Sequence, residues 1–82
     1  MEHNLKVTFV VKITAVTSEE DTSGGWITNH LQVGDLVIQQ ARTERFDAKV
    51  GDEVEWCEWL EREGVFGHII VEGLGTIVHI DM

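Results

Sequence analysis

Proline is absent from this chain, cysteine occurs once and serine only at Ser18 and Ser23. Without proline, every reversal of direction falls to Gly, Asp, Asn or Ser. A lone Cys57 excludes an internal disulfide and suits a reducing compartment, so the chain is expected to be cytoplasmic. Neither serine lies in a nucleophile-elbow pattern, and Cys57, set near Glu55 and Glu58, is in a poor position to be an anionic nucleophile. Gly73-Leu74-Gly75 is too short to cradle a phosphate. A non-enzymatic protein without a cofactor is therefore expected. No apolar run approaches the roughly 20 residues of a membrane span, and Val7 to Val11 is cut off by Lys12. The start, with Glu2 ahead of the first lysine, is unlike a targeting segment, and no membrane association is expected. Cations are scarce as well: 6 Lys and Arg stand against 15 Asp and Glu, for a formal net charge of −9. A field of that sign repels nucleic acid and favours basic partners.

What is present is the composition of a folded protein. The 82 residues are 43% apolar and include three Trp and three Phe. That length is one domain, 1–82, with a modest core.

From Leu5 to Ala15 the apolar residues fall at odd positions, a period of two that marks a long strand with one buried face. The polar stretch Ser18 to Gly25 reads as the loop that ends it. Trp26 to Val33 and Leu36 to Thr43 read as the next two strands, and Thr43 to Val50 as a short strand or extended crossing. "QVGDLV" at 32–37 returns as "KVGDEV" at 49–54. Gly reaches positive φ without steric penalty and Asp caps nearby backbone N–H groups, so each Val-Gly-Asp is a corner that sets the chain into a new strand. Two six-residue stretches, identical at four positions, do not by themselves establish duplicated units.

Residues 52–63 support two readings. A strand from Glu53 to about Trp59, turning over near Leu60 to Gly64, competes with a short helix capped by Asp52 with Trp56, Trp59 and Leu60 on one face. Val65 to Val71 and Thr76 to Asp81 read as two strands joined by a hairpin at Glu72-Gly73-Leu74-Gly75. The expected fold is all-β, with that short helix as the one exception. Five to six strands would form a small antiparallel barrel or strongly bent sheet, whose architecture resembles SH3-like and OB-like barrels.

Three sets of residues carry candidate chemistry. The segment 52–63 holds six carboxylates and one Arg62 around Trp56 and Trp59. Glu53, Glu55, Glu58, Glu61 and Glu63 would steer a basic surface of a larger protein toward Trp59 as anchor. This is the profile of a small inhibitor or anti-repressor of the kind phages encode. The alternative is a nucleic-acid or small-ligand binder using Lys6, Lys12, Arg42 and Arg45 with Trp26 as a stacking platform, which the net charge opposes. Third, the hairpin would bring His68 opposite His79, with Asp81 on the same face, the spacing of a two-histidine, one-carboxylate metal site. The blander reading has the two rings covering Ile70 and Ile77. A face carrying Phe66, Ile70 and Ile77 would also allow a homodimer.

Overall fold

The computed structural model describes residues 4–21, 31–61 and 68–81. They form four strands, β1 (Leu5–Asp21), β2 (Leu36–Thr43), β3 (Glu53–Glu61) and β4 (His68–Asp81). All pair antiparallel in one open sheet of order β2-β1-β4-β3. No helix occurs among the described residues, so the helical reading of 52–63 gives way to a strand. The five- to six-stranded barrel gives way to four strands in an open sheet. Of the strand expected over Trp26 to Val33, Leu31 to Val33 form a bend and turn and the rest lies outside the described residues. Beyond Thr43 the segment forms no strand: Glu44 bends, 45–49 are irregular and Val50 enters the next turn, with Ala48 packed against the core and Phe46 against Phe9, ring centroids 5.5 Å apart.

Two corrections concern length. β1 does not stop at Ala15 but runs on to Asp21, because one-residue bulges at Thr14 and Thr17 let it follow β4 as the sheet bends. β4 does not turn at Gly73-Leu74-Gly75 but passes straight through as 14 residues. Both glycines face the interior. A Cβ on Gly73 would lie 2.0 Å from the Ala15 carbonyl oxygen and 2.7 Å from Trp56 Cζ2, and one on Gly75 would meet Val11 Cγ1 and the Lys12 carbonyl. These glycines are required by close backbone approach and not by a turn.

The core lies on the inner face, where Val11, Ile13, Val37, Trp56, Ile69, Val71 and Ile77 are buried together, with Phe9, Leu31, Val54, Leu60 and Ile80 packed against them. Trp56 is 2% exposed, and its indole N–H donates to the Leu74 carbonyl at 2.8 Å, so no polar atom is stranded by its burial. A third bulge leaves Val78 unpaired between Ile77 and His79, which turns it outward to 41% exposure. The opening between the edge strands β2 and β3 is spanned by one side chain. The Gln39 amide donates to the Cys57 carbonyl at 3.1 Å and to Glu58 Oε1 at 2.8 Å, and accepts from the Cys57 N–H at 3.3 Å.

The two Val-Gly-Asp corners are built alike. Gly34 and Gly51 have φ of 97° and 99°, the only positive values among the described residues. In each, the Asp carboxylate accepts from the N–H three residues back, Gln32 or Lys49, at 2.9 Å, and the Asp N–H donates to that residue's carbonyl at 3.0 Å. The Gly N–H donates at 2.8 Å to the carbonyl of Ile13 in one case and Ile77 in the other. The N–H of that same isoleucine donates back to the Asp carbonyl, at 2.8 and 2.9 Å. β2 then starts opposite Lys12 and β3 opposite Thr76, and Lys12 and Thr76 are themselves paired. The register therefore relates β1 with β2 to β4 with β3 by an approximate two-fold through the Lys12–Thr76 pair. The repeated hexapeptide is the visible trace of this relation.

Candidate docking face

Alternation along β3 sends Val54, Trp56, Glu58 and Leu60 inward and leaves Glu53, Glu55, Cys57 and Trp59 on the outer face. Across the sheet they meet Thr76, Leu74, Glu72 and Ile70 of β4, and Glu72 and Ile70 in turn meet Ser18 and Glu20 of β1. Glu72 is thus diagonal to both Glu55 and Glu20, within the roughly 7–8 Å over which like charges repel. Trp59 is 64% exposed, and its ring is held by stacking on His68, centroids 4.4 Å apart at 18°. An aromatic fixed in this way loses little side-chain entropy when something covers it. Separately, a cleft of about 570 Å³ is lined by Thr17, Gln39, Glu55, Trp56, Cys57, Glu72, Gly73 and Leu74, without Trp59.

The structure sorts the residues singled out in the sequence. Glu53, Glu55 and Trp59 share the outer face, whereas Glu58 turns inward, half-buried, and holds the Gln39 amide. Glu61 closes β3 opposite His68, and the side chain of Glu61, like Arg62 and Glu63, lies outside what is described. Sequence reasoning missed Glu72 and Glu20 as members of this face because it read one as a hairpin turn and the other as a loop. Cys57 is free and exposed on the same face.

Lys6, Lys12 and Arg42 also point outward, on β1 and β2, with Lys6 directly opposite Arg42. Arg45 instead pairs with Asp47 at 2.8 Å beyond the end of β2, and Trp26 lies outside the described residues. His68 and His79 do not face each other. They stand eleven positions apart on one continuous strand, about 36 Å at 3.3 Å per residue. His79 pairs with Val10, Asp81 with Thr8, and no cluster of three metal-ligating side chains occurs among the described residues. The apolar face expected from Phe66, Ile70 and Ile77 is likewise split: Ile77 is fully buried, Ile70 is half-buried on the outer face and Phe66 is outside the described residues.

Compared with family models, with curated proteins and with solved structures, the chain matches none.

Proposed function

We propose that this chain is a non-enzymatic interaction module whose acidic outer face docks on a basic surface of a larger protein. The observation that carries the reading is the co-location of Glu53, Glu55, Glu72 and Glu20 beside an exposed Trp59 held by its stack on His68. Carboxylates on such a face raise the encounter rate with a cationic surface, and the indole supplies most of the contact energy. A protein whose natural ligand is nucleic acid offers such a surface, so the module acts as a competitor of the inhibitor or anti-repressor type. The free Cys57 supports a reducing, cytoplasmic setting.

A second reading rests on Lys6, Lys12 and Arg42, which offer phosphate a small basic patch. One titration separates the two. A lysine- and arginine-rich peptide and a single-stranded oligonucleotide of equal length are titrated against the chain at low and at high salt. The docking reading expects the peptide to bind at low salt and the oligonucleotide not to. It also expects Glu53/Glu55/Glu72→Lys to abolish peptide binding and Trp59→Ala to weaken it about tenfold. Peptide binding unchanged in the triple variant removes the acidic face from the mechanism, and oligonucleotide binding lost in Lys6/Arg42→Glu establishes the second reading.

A further inference from the structure

The outer-facing side chains of β1 and β2 form a patch whose chemistry is the reverse of the acidic face. Register sets Lys6 opposite Arg42, Thr8 opposite Gln40, Val10 opposite Ile38 and Lys12 opposite Leu36, all on the side away from the core. The first nine residues of β1 and all of β2 contain no carboxylate, while β3 and β4 contain no Lys or Arg. None of the cations Lys6, Lys12 and Arg42 is paired with a carboxylate among the described residues. Leu36 and Ile38, at 62% and 64% exposure, are large apolar side chains left in water among them. On the β4 side of β1, exposed His79 lies opposite Val10, and Asp81, opposite Thr8, is the carboxylate at the rim. The bonds from Gln39 to Cys57 and Glu58 fold the sheet on itself, so this patch and the outer side of β3 and β4 are separate surfaces.

We propose that the outer face of β1 and β2 is a second docking surface, and that its occupant is an acidic amphipathic helix of another protein. Lys6 with Arg42 at one end and Lys12 at the other call for anionic groups, and Val10, Leu36 and Ile38 between them call for apolar ones. A nucleic-acid backbone supplies the first and not the second, and no aromatic ring stands on this face among the described residues to stack a base. An anionic lipid surface is recognised by about four to eight clustered Lys or Arg, more than this patch holds, and the net charge of −9 opposes it. A polypeptide lying across this face has to satisfy its own backbone, because β1 is already paired on both sides by β2 and β4. A helix does so and offers its side chains as a stripe. Lys6 and Lys12 are about 20 Å apart along β1. The fitting helix therefore carries two carboxylates at one end of an apolar stripe and a third about 13 residues away. The inference does not use the acidic face. If both hold, the chain bridges a basic partner and an acidic one.

Area and charge fix how this contact should behave. Two strands spaced about 4.8 Å, over about 20 Å of their length, cover on the order of 200–300 Å². That is well under the roughly 800 Å² per partner of a stable complex, so a transient contact with Kd on the order of 100 μM is expected. The net charge of −9 opposes an acidic helix at long range, while the patch attracts it at contact. At about 0.01 M salt the repulsion reaches about 30 Å, at about 0.1 M it is screened beyond about 10 Å, and near 1 M the contact pairs are themselves screened. Binding should therefore be strongest at the middle salt, whereas binding of a cationic peptide to the acidic face falls at every step.

The probe is a helical peptide of about 16 residues, with leucines along one face, two glutamates at one end and one at the other. Labelled for fluorescence anisotropy, it is titrated with the whole chain at these three salt concentrations. Its leucine-to-serine analogue, a single-stranded oligonucleotide and anionic vesicles are run beside it. The expected result is that the helix binds, most strongly at the middle salt, and that the other three do not. Lys6/Arg42→Glu and Leu36/Ile38→Ser should each weaken it at least about tenfold. All four positions are exposed, and urea midpoints within about 0.5 M of wild type show that the fold is kept. Glu53/Glu55/Glu72→Lys should leave binding unchanged at the middle salt and raise it at the lowest. No binding by the wild type, binding that either pair of substitutions leaves unchanged, or equal binding of the serine analogue overturns the proposal. Binding of the oligonucleotide or the vesicles in place of the helix assigns the patch to phosphate, and sedimentation showing a dimer that Leu36/Ile38→Ser abolishes assigns it to a second copy; each overturns it too. A chain that binds the helix and ignores the cationic peptide sinks the docking reading alone, and the reverse sinks this inference alone.

Discussion

On the inner face of the first half of the sheet, Phe9 on a central strand meets Gln39 on an edge strand. At the matched positions of the second half stand Gly73 and Trp56. Bulk comes from the centre in one half and from the edge in the other. The inequality extends to the next pair inward, where Val11 beside Val37 is matched by Gly75 beside Val54. A strictly repeated sequence would set two Val11 side chains against each other at the two-fold, where the Cβ position of Gly75 already lies against Val11 Cγ1. The backbone frame can thus be nearly symmetric only because the side chains filling it are not. Outside, the same division appears as charge, with cations on one half and carboxylates on the other.

This comparison can be broken at its tightest point. Gly73→Ala should cost about 3 kcal/mol, the upper range for overpacking, because the new methyl meets backbone at Ala15 that cannot rotate away. A urea melt checks it, and a midpoint shifted by under about 0.5 M would show that the strands separate easily there. The corners sharpen the comparison. Gly34 and Gly51 have open space around a Cβ, so Gly34→Ala and Gly51→Ala should each cost about 1 kcal/mol through backbone conformation alone, and by equal amounts within about 0.5 kcal/mol. Unequal losses would mean that matched hydrogen bonds do not imply matched energetics. The smallest effect is expected at the opening of the sheet: Gln39→Ala should remove about 0.5 kcal/mol and speed amide exchange at Cys57, while the Gly51 amide, bonded to Ile77, should keep its protection.

Much of this frame was legible from periodicity and turn chemistry. The strand from Leu5 follows from alternation and the corners from Val-Gly-Asp, whereas Leu36 to Thr43 is mixed in pattern and 52–63 admits a helix as well as a strand. The misreadings came where a residue type serves two physical needs. Gly73 and Gly75 read as a turn because local sequence shows glycine's freedom, whereas their role is to admit the β1 backbone, a contact almost 60 residues away in sequence. The histidine pair was lost with that turn. Bulges at Thr14, Thr17 and Val78 have no marker in composition, so the extension of β1 and the outward turn of Val78 were beyond sequence reasoning. Trp56 and Trp59 looked ambiguous because the pattern Trp-Leu at 59–60 breaks a simple count of apolar residues. It conforms once Trp59 is accepted as an exposed indole.

The Gln39 side chain has one more implication. By presenting a carbonyl and an amide to Cys57 together, it imitates the peptide group of an incoming strand and occupies the position from which such a strand would add. Turning the Gln39 side chain away would leave the Cys57 N–H and carbonyl open to pairing with an added extended segment.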